Sequence, residues 1–149
     1  MYCYAVETWV ERSRSLRQGN GEKMSIKNLF PFHVKKESLT PASTVAPLEV
    51  FNLMRAGHSL MIIDVRTPAE FAAVHIAGSH LMPMSSLNLA DLAAKRKKSG
   101  DPFFIICKSG IFSDKICKNL SQVDGGEVYS IQGGMDAWQR EELPVQRGR

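Results

Sequence analysis

The sequence predicts an α/β domain: a mainly parallel central sheet flanked by helices. Three observations predict it. Short apolar runs alternate along the chain with stretches of helical period. The runs Leu60–Val65, interrupted only by Asp64, and Phe103–Ile106 are apolar at successive positions, as expected of strands covered on both faces inside a parallel sheet. Helix punctuation falls between them, with Pro47 and Thr67-Pro68 at starts and Gly57 at a stop.

Residues 1–43 form an extension that mixes charges, Ser, Gly and scattered aromatics without sustained period, and poor order is expected there. Gln18 to Gly21 is a breaker cluster, and Leu29-Phe-Pro-Phe32 is a short apolar patch suited to packing on the domain or on a partner. Gly21-Glu-Lys23 can be encoded by a purine-rich run of the kind that precedes bacterial start codons. Met24 is therefore a candidate start, with residues 1–23 a mis-assigned leader. The domain is expected over residues 44–146, with a tail at 147–149.

Within the domain, Pro47 suits a first helical turn, and Leu48, Phe51, Leu53 and Met54 supply an apolar stripe ended by Gly57. Leu60–Val65 is the next strand. Thr67 caps a helix, Pro68 takes its first position, and Glu70 completes a capping box; that helix ends near Val74. His75 to Gly78 is a turn into a short strand around Ser79–Met82. Ser85 or Ser86 is expected to cap a helix holding Leu87, Leu89, Leu92 and Ala93. It finishes in Lys95-Arg-Lys-Lys98, cations where the helix dipole favours them, read as a solvated helix end and not a nucleic-acid patch. Gly100-Asp-Pro102 turns into Phe103–Ile106. Further on, Gly125-Gly126 leads into a strand at Glu127–Ile131, Gly133-Gly134 precedes a short helix at Met135–Arg140, and Leu143-Pro-Val145 closes the domain.

The chemistry concentrates between Phe103 and Leu120. A buried strand ends on Cys107, a small polar turn Lys108-Ser109-Gly110 follows, and Ser113 is expected to cap a helix with Ile116, Cys117 and Leu120 on one face. Ligands of parallel sheets sit outside the carboxyl ends of strands, and Cys107 is at such an end. Loop amides followed by a helix N-terminus form an anion site, and a cysteine within one has its thiolate favoured. Gly110 lets the loop turn and Lys108 adds a positive charge, whereas Asp114 opposes a nearby thiolate. Taken alone, the local pattern leaves a second reading open: a lone cysteine after an apolar strand is also a small buried hydrophobe.

Bulk properties bound the answer. A length of 149 residues fits one domain, and 44% hydrophobic with 23% charged residues is ordinary globular composition. No apolar run approaches the ~20 residues of a bilayer span. Met1 to Val10 lacks a basic segment followed by an apolar core, so no secretory signal is expected. Cys3, Cys107 and Cys117 are odd in number and unpatterned in spacing, against a disulfide framework or a Cys-x-x-Cys zinc site. A reducing cytoplasm is expected, with no metal and no cofactor. Of the net charge of +4, residues 1–43 carry most, with seven Lys/Arg against four Asp/Glu. The nearly balanced domain gives no reason to expect nucleic acid.

Four spaced signatures together resemble the rhodanese domain family. They are Asp64-Val-Arg66 followed by Glu70-Phe71, His75-Ile-Ala-Gly-Ser79, Cys107-Lys-Ser-Gly110-Ile-Phe-Ser113, and Gly133-Gly-Met-Asp-Ala-Trp138. Order and spacing match over roughly residues 44–146, so the resemblance covers the domain and not the extension. It implies a single-domain sulfurtransferase. Cys107 would attack the outer sulfur of thiosulfate and carry a persulfide, which cyanide or a thiol, small or on a protein, would remove. The backbone of Lys108, Ser109, Gly110, Ile111, Phe112 and Ser113 would be the cradle, with Lys108 a charge partner for thiosulfate. Many members carry Arg where Phe112 stands, so cationic help here must come from Lys108, Arg66 or the backbone, and the rim is expected to be more apolar. Val74 stands where the family commonly has Gly.

Asp64, Arg66 and Glu70 are expected to form a structural charge cluster beside the site, with a catalytic acid–base role as the alternative. His75 is read as fixing its turn, Trp138 and Phe71 as core, and Cys117 as buried packing. Two further functions compete with sulfur transfer. A phosphatase or arsenate reductase would need a phosphate clamp, and there is no Arg between Cys107 and Gln139. A non-catalytic binding module would explain Phe112 but not Cys107 with Gly110.

Overall fold

The computed structural model of the chain describes residues 43–124 and 126–148. The candidate start Met24, Cys3 and the Leu29–Phe32 patch lie outside the described residues. Five strands are described: β1 (Thr44–Val45), β2 (Met61–Asp64), β3 (His80–Leu81), β4 (Phe103–Ile106) and β5 (Val128–Ile131). Between and after them run the helices α1 (Pro47–Arg55), α2 (Pro68–Ala73), α3 (Leu89–Ser99), α4 (Ile111–Asp124) and α5 (Gly134–Arg140), with a 3-10 turn at Met84–Ser86. The strands form one sheet in the order β1-β5-β4-β2-β3, and every pairing is parallel. All carboxyl ends therefore lie on one rim, with Asp64 in register with Ile106.

Alternation along the strands divides the core in two. Ile62, Phe104, Ile106, Tyr129 and Ile131 pack with Val50, Leu53 and Met54 of α1 and Met135 and Trp138 of α5. Ile63, Phe103, Ile105 and Val128 pack on the other face with Leu92 and Ala93 of α3 and Ile116, Cys117 and Leu120 of α4. Because both faces are covered, the inner strands tolerate no polar alternation, which is why they read as continuous apolar runs.

The expected elements are present with several changes. The capping box at α2 forms as expected, with Glu70 N donating to Thr67 Oγ1 and the Glu70 carboxylate accepting from the Thr67 amide. The cap of α3 is Asn88, not Ser85 or Ser86. Its Oδ1 accepts from Ala90 N, while the serines sit in the preceding 3-10 turn and Leu87 stays outside the helix. Leu48 is exposed, and Val50 takes its place in the buried stripe of α1. Phe71 is only half-buried, stacked on the His75 ring with centroids 3.9 Å apart. β1 is too short to leave a periodic signature and has no counterpart in the sequence reading.

Candidate active site

Cys107 follows the last residue of β4 at the carboxyl rim. Its side chain continues the β4 face that carries Phe103 and Ile105, and it is 3% exposed within their apolar cluster. The sulfur nonetheless meets two amides of the loop above it. Gly110 N donates to Sγ at 3.2 Å and Ser113 N at 3.4 Å. Of the expected Lys108–Ser113 cradle, these two amides reach the sulfur.

The loop is shaped by close backbone approaches. Gly110 has φ +90°, and a Cβ there would lie 2.9 Å from the amide nitrogen of Gly133. Met135 N donates to Cys107 O at 2.9 Å, and Asp136 N to Lys108 O at 3.0 Å. The free amides that begin α5 are thus spent on the carbonyls that begin the loop. Gly134, at φ +59°, stands between them: a Cβ would collide with the carbonyl oxygens of both Cys107 and Lys108. The glycine pair is there so that α5 can dock on the loop.

Ser113 is not the cap expected from sequence. With Gly110 turning the chain through a positive φ, α4 begins at Ile111, three residues before the start a Ser113 cap would give, and Asp114 N already donates to Gly110 O at 3.1 Å. Ser113 is instead fully buried. Its hydroxyl donates to Gly110 O at 3.0 Å, lies 2.8 Å from Ser130 Oγ, and is 3.5 Å from Cys107 Sγ. Ser130 is not among the site residues expected from sequence. The available signal was a serine inside an otherwise apolar strand covered on both faces, where a hydroxyl needs a partner.

The charges around the loop are mostly committed. Arg66 makes a buried ion pair with Asp64 at 2.7 Å and donates its remaining Nη2 bond to Val74 O at 2.7 Å, so its charge is tied to the frame. The expected cluster therefore divides into this buried pair and the more exposed Glu70 at the α2 cap. Hydrogen bonds from the Thr67 hydroxyl and amide hold the Glu70 carboxyl below its usual range, against partial burial and with smaller help from Arg66 and Lys108. Asp114 pairs with Lys118 at 2.7 Å, and the Lys115 ammonium sits 6.0 Å from the centre of the Phe112 ring. Lys108 and Ser109 are exposed, as are Ile111 at 62% and Phe112 at 50%.

Cys117 is fully buried, and burial pushes its thiol up, with Asp114 and Cys107 adding to the shift. His75 fixes its turn as expected: Nδ1 lies 2.8 Å from Phe71 O, and its backbone pairs with Gln146. Beside the loop an open cleft of about 390 Å³ is lined by Thr44, Ser109, Ile111, Lys115, Gln132 and Gly133, among others; Cys107 does not line it. Among the described residues no group of three or more His, Cys, Asp or Glu is placed to hold a metal, and no helix is long and apolar enough to cross a membrane.

Comparison with known proteins agrees with this architecture. The sequence model of the Rhodanese-like domain matches residues 47–141. Over 102 residues the chain is 31% identical to the probable adenylyltransferase/sulfurtransferase MoeZ of Mycobacterium tuberculosis, covering 68% of this chain but only 26% of that protein. It is 29% identical to the thiosulfate sulfurtransferase GlpE of Haemophilus influenzae, over 70% of this chain and 95% of that one. Among solved structures, a rhodanese-related protein from Thermoplasma volcanium matches at 25% identity and TM-score 0.56, covering 70% and 97% of the two chains. A Rhodopseudomonas palustris protein described as a possible tyrosine phosphatase matches at 24% identity and TM-score 0.62, over 70% and 84%; at that identity the likeness is one of fold.

Proposed function

The chain belongs to the rhodanese-like domain family, and from that premise we propose that it is a sulfurtransferase working through a Cys107 persulfide. The donor is thiosulfate or a persulfide, and the acceptor is cyanide or a thiol. The observation that carries this reading is the pair of amides, Gly110 N and Ser113 N, aimed at Sγ. They supply fixed positive dipole to a sulfur anion without a reorganisation cost.

The steps balance without an oxidant. The Cys107 thiolate attacks the outer sulfur of thiosulfate, the S–S bond breaks, and its electron pair leaves with sulfite. Cys107 is left as a persulfide whose terminal sulfur carries the negative charge. The acceptor attacks that sulfur, and the electron pair of the new S–S bond returns to Cys107 as thiolate. The loop's own role is to hold the charge in each state.

A thiosulfate:cyanide assay on wild type and Cys107→Ser tests the reading. Thiocyanate production by wild type and its loss in the variant support it. Wild-type silence, with no protein gaining the mass of one sulfur atom on treatment with thiosulfate or with an organic persulfide, would falsify it. That result would favour the second reading, a binding module, for which exposed Ile111 and Phe112 beside the loop would be the contact surface.

A further inference from the structure

We infer that Ser130 is a positioning residue for Cys107, acting through the hydroxyl of Ser113. The inference rests on Cys107 being the nucleophile and goes beyond it, since Ser130 lies on β5 and makes no bond to the sulfur.

The argument follows the protons. Ser113 Oγ has one hydrogen and two lone pairs. With Cys107 protonated, that hydrogen goes to Gly110 O at 3.0 Å, and the lone pairs take the thiol at 3.5 Å and the Ser130 hydroxyl at 2.8 Å. Every site on the oxygen is filled. Once the thiol loses its proton, the sulfur only accepts. Ser113 must then turn its hydrogen from Gly110 O to the thiolate. Gly110 O is not stranded by the turn, because Asp114 N still donates to it at 3.1 Å. The Ser113 oxygen, fully buried, then has Ser130 as its one remaining donor. Without Ser130 the thiol form is still satisfied and the thiolate form is not. Ser130 therefore favours the reactive state selectively, where a merely structural bond would favour both alike.

Other groups on the elements packed around the sulfur are left in place by a change at Ser130. They are the Asp64–Arg66 pair at the end of β2, Glu70 on α2, Lys108 in the loop, Asp114, Lys115 and the Cys117 thiol on α4, and Asp136 on α5.

The test is the pH dependence of Cys107 alkylation by iodoacetamide, followed by peptide mass, in wild type, Ser130→Ala, Ser130→Val and Ser130→Thr. Loss of one donor to the buried oxygen should move the alkylation midpoint about 0.5–1 pH unit to the alkaline side in the Ala and Val variants. Thr keeps the hydroxyl and should keep the wild-type profile. If Ala fails to fold, the near-isosteric Val and Thr pair decides alone. An unmoved midpoint in Ala and Val overturns the inference, as does an equal shift in Thr. Alkylation needs no sulfur donor, so a shifted midpoint in a chain that takes up no sulfur from thiosulfate or an organic persulfide would sink the sulfurtransferase reading and leave this one standing.

Discussion

The amide of Met135 donates to the carbonyl of Cys107 at 2.9 Å. The helix that closes the domain thus grips the residue that carries the thiol, and Gly134 is what permits the grip. We predict that Gly134→Ala costs about 2–4 kcal/mol, from the Cβ collision and the positive φ together. Sulfur transfer should fall further than stability at temperatures where the variant is still folded. Thermal denaturation beside a thiocyanate assay checks both; a variant of wild-type stability and activity refutes the account of the glycine pair.

Asp64 accepts from three donors of Arg66, the amide, Nε and Nη2, with both side chains nearly inaccessible. Asp64→Ala leaves a guanidinium buried without its counter-charge. The expected loss is about 3–5 kcal/mol in urea denaturation. Asp64→Ala together with Arg66→Ala should recover part of it, because the stranded charge is then gone.

Lys108 is exposed and Phe112 half-exposed, so substitution of either should change stability by less than about 0.5 kcal/mol. Lys108→Ala should raise KM for thiosulfate with little effect on kcat. Phe112→Arg should lower that KM by placing a guanidinium beside the loop. Unchanged thiosulfate kinetics in both variants would mean that neither side chain meets the anion.

Glu70 gives the pH dependence a sign. Its folded carboxyl titrates below the ordinary range, chiefly through Thr67. Its contribution is therefore complete above the ordinary carboxylate value and fades as pH falls through the lowered one. Being largely solvated, it contributes under about 1 kcal/mol. In urea titrations at neutral and acid pH, the gap between wild type and Glu70→Gln should narrow toward acid.

The sequence made the strands, the thiol and its loop legible because each rests on short-range pattern: apolar runs, a capping box, a glycine turn. Where it misled, tertiary context outweighed local preference. Ser113 has the side chain of a cap, but Gly110 starts α4 early and carries that hydroxyl into the core. Arg66 looked like a source of cationic help, and only folding reveals Asp64 and Val74 O already holding it. The docking of α5 on the loop depends on two backbones meeting across many residues, and a run of glycines hints at such a meeting without naming the partner.

Since every strand points the same way, the turns feeding β2 and β4, around Ser59 and Gly100, emerge at the rim opposite the thiol. Ser59 and Gly100 are both solvent-facing. A fluorophore, a surface tether or an inserted peptide placed at either should leave the Cys107 sulfur unobstructed, so the molecule can be immobilised or monitored from one end with the thiol end left open.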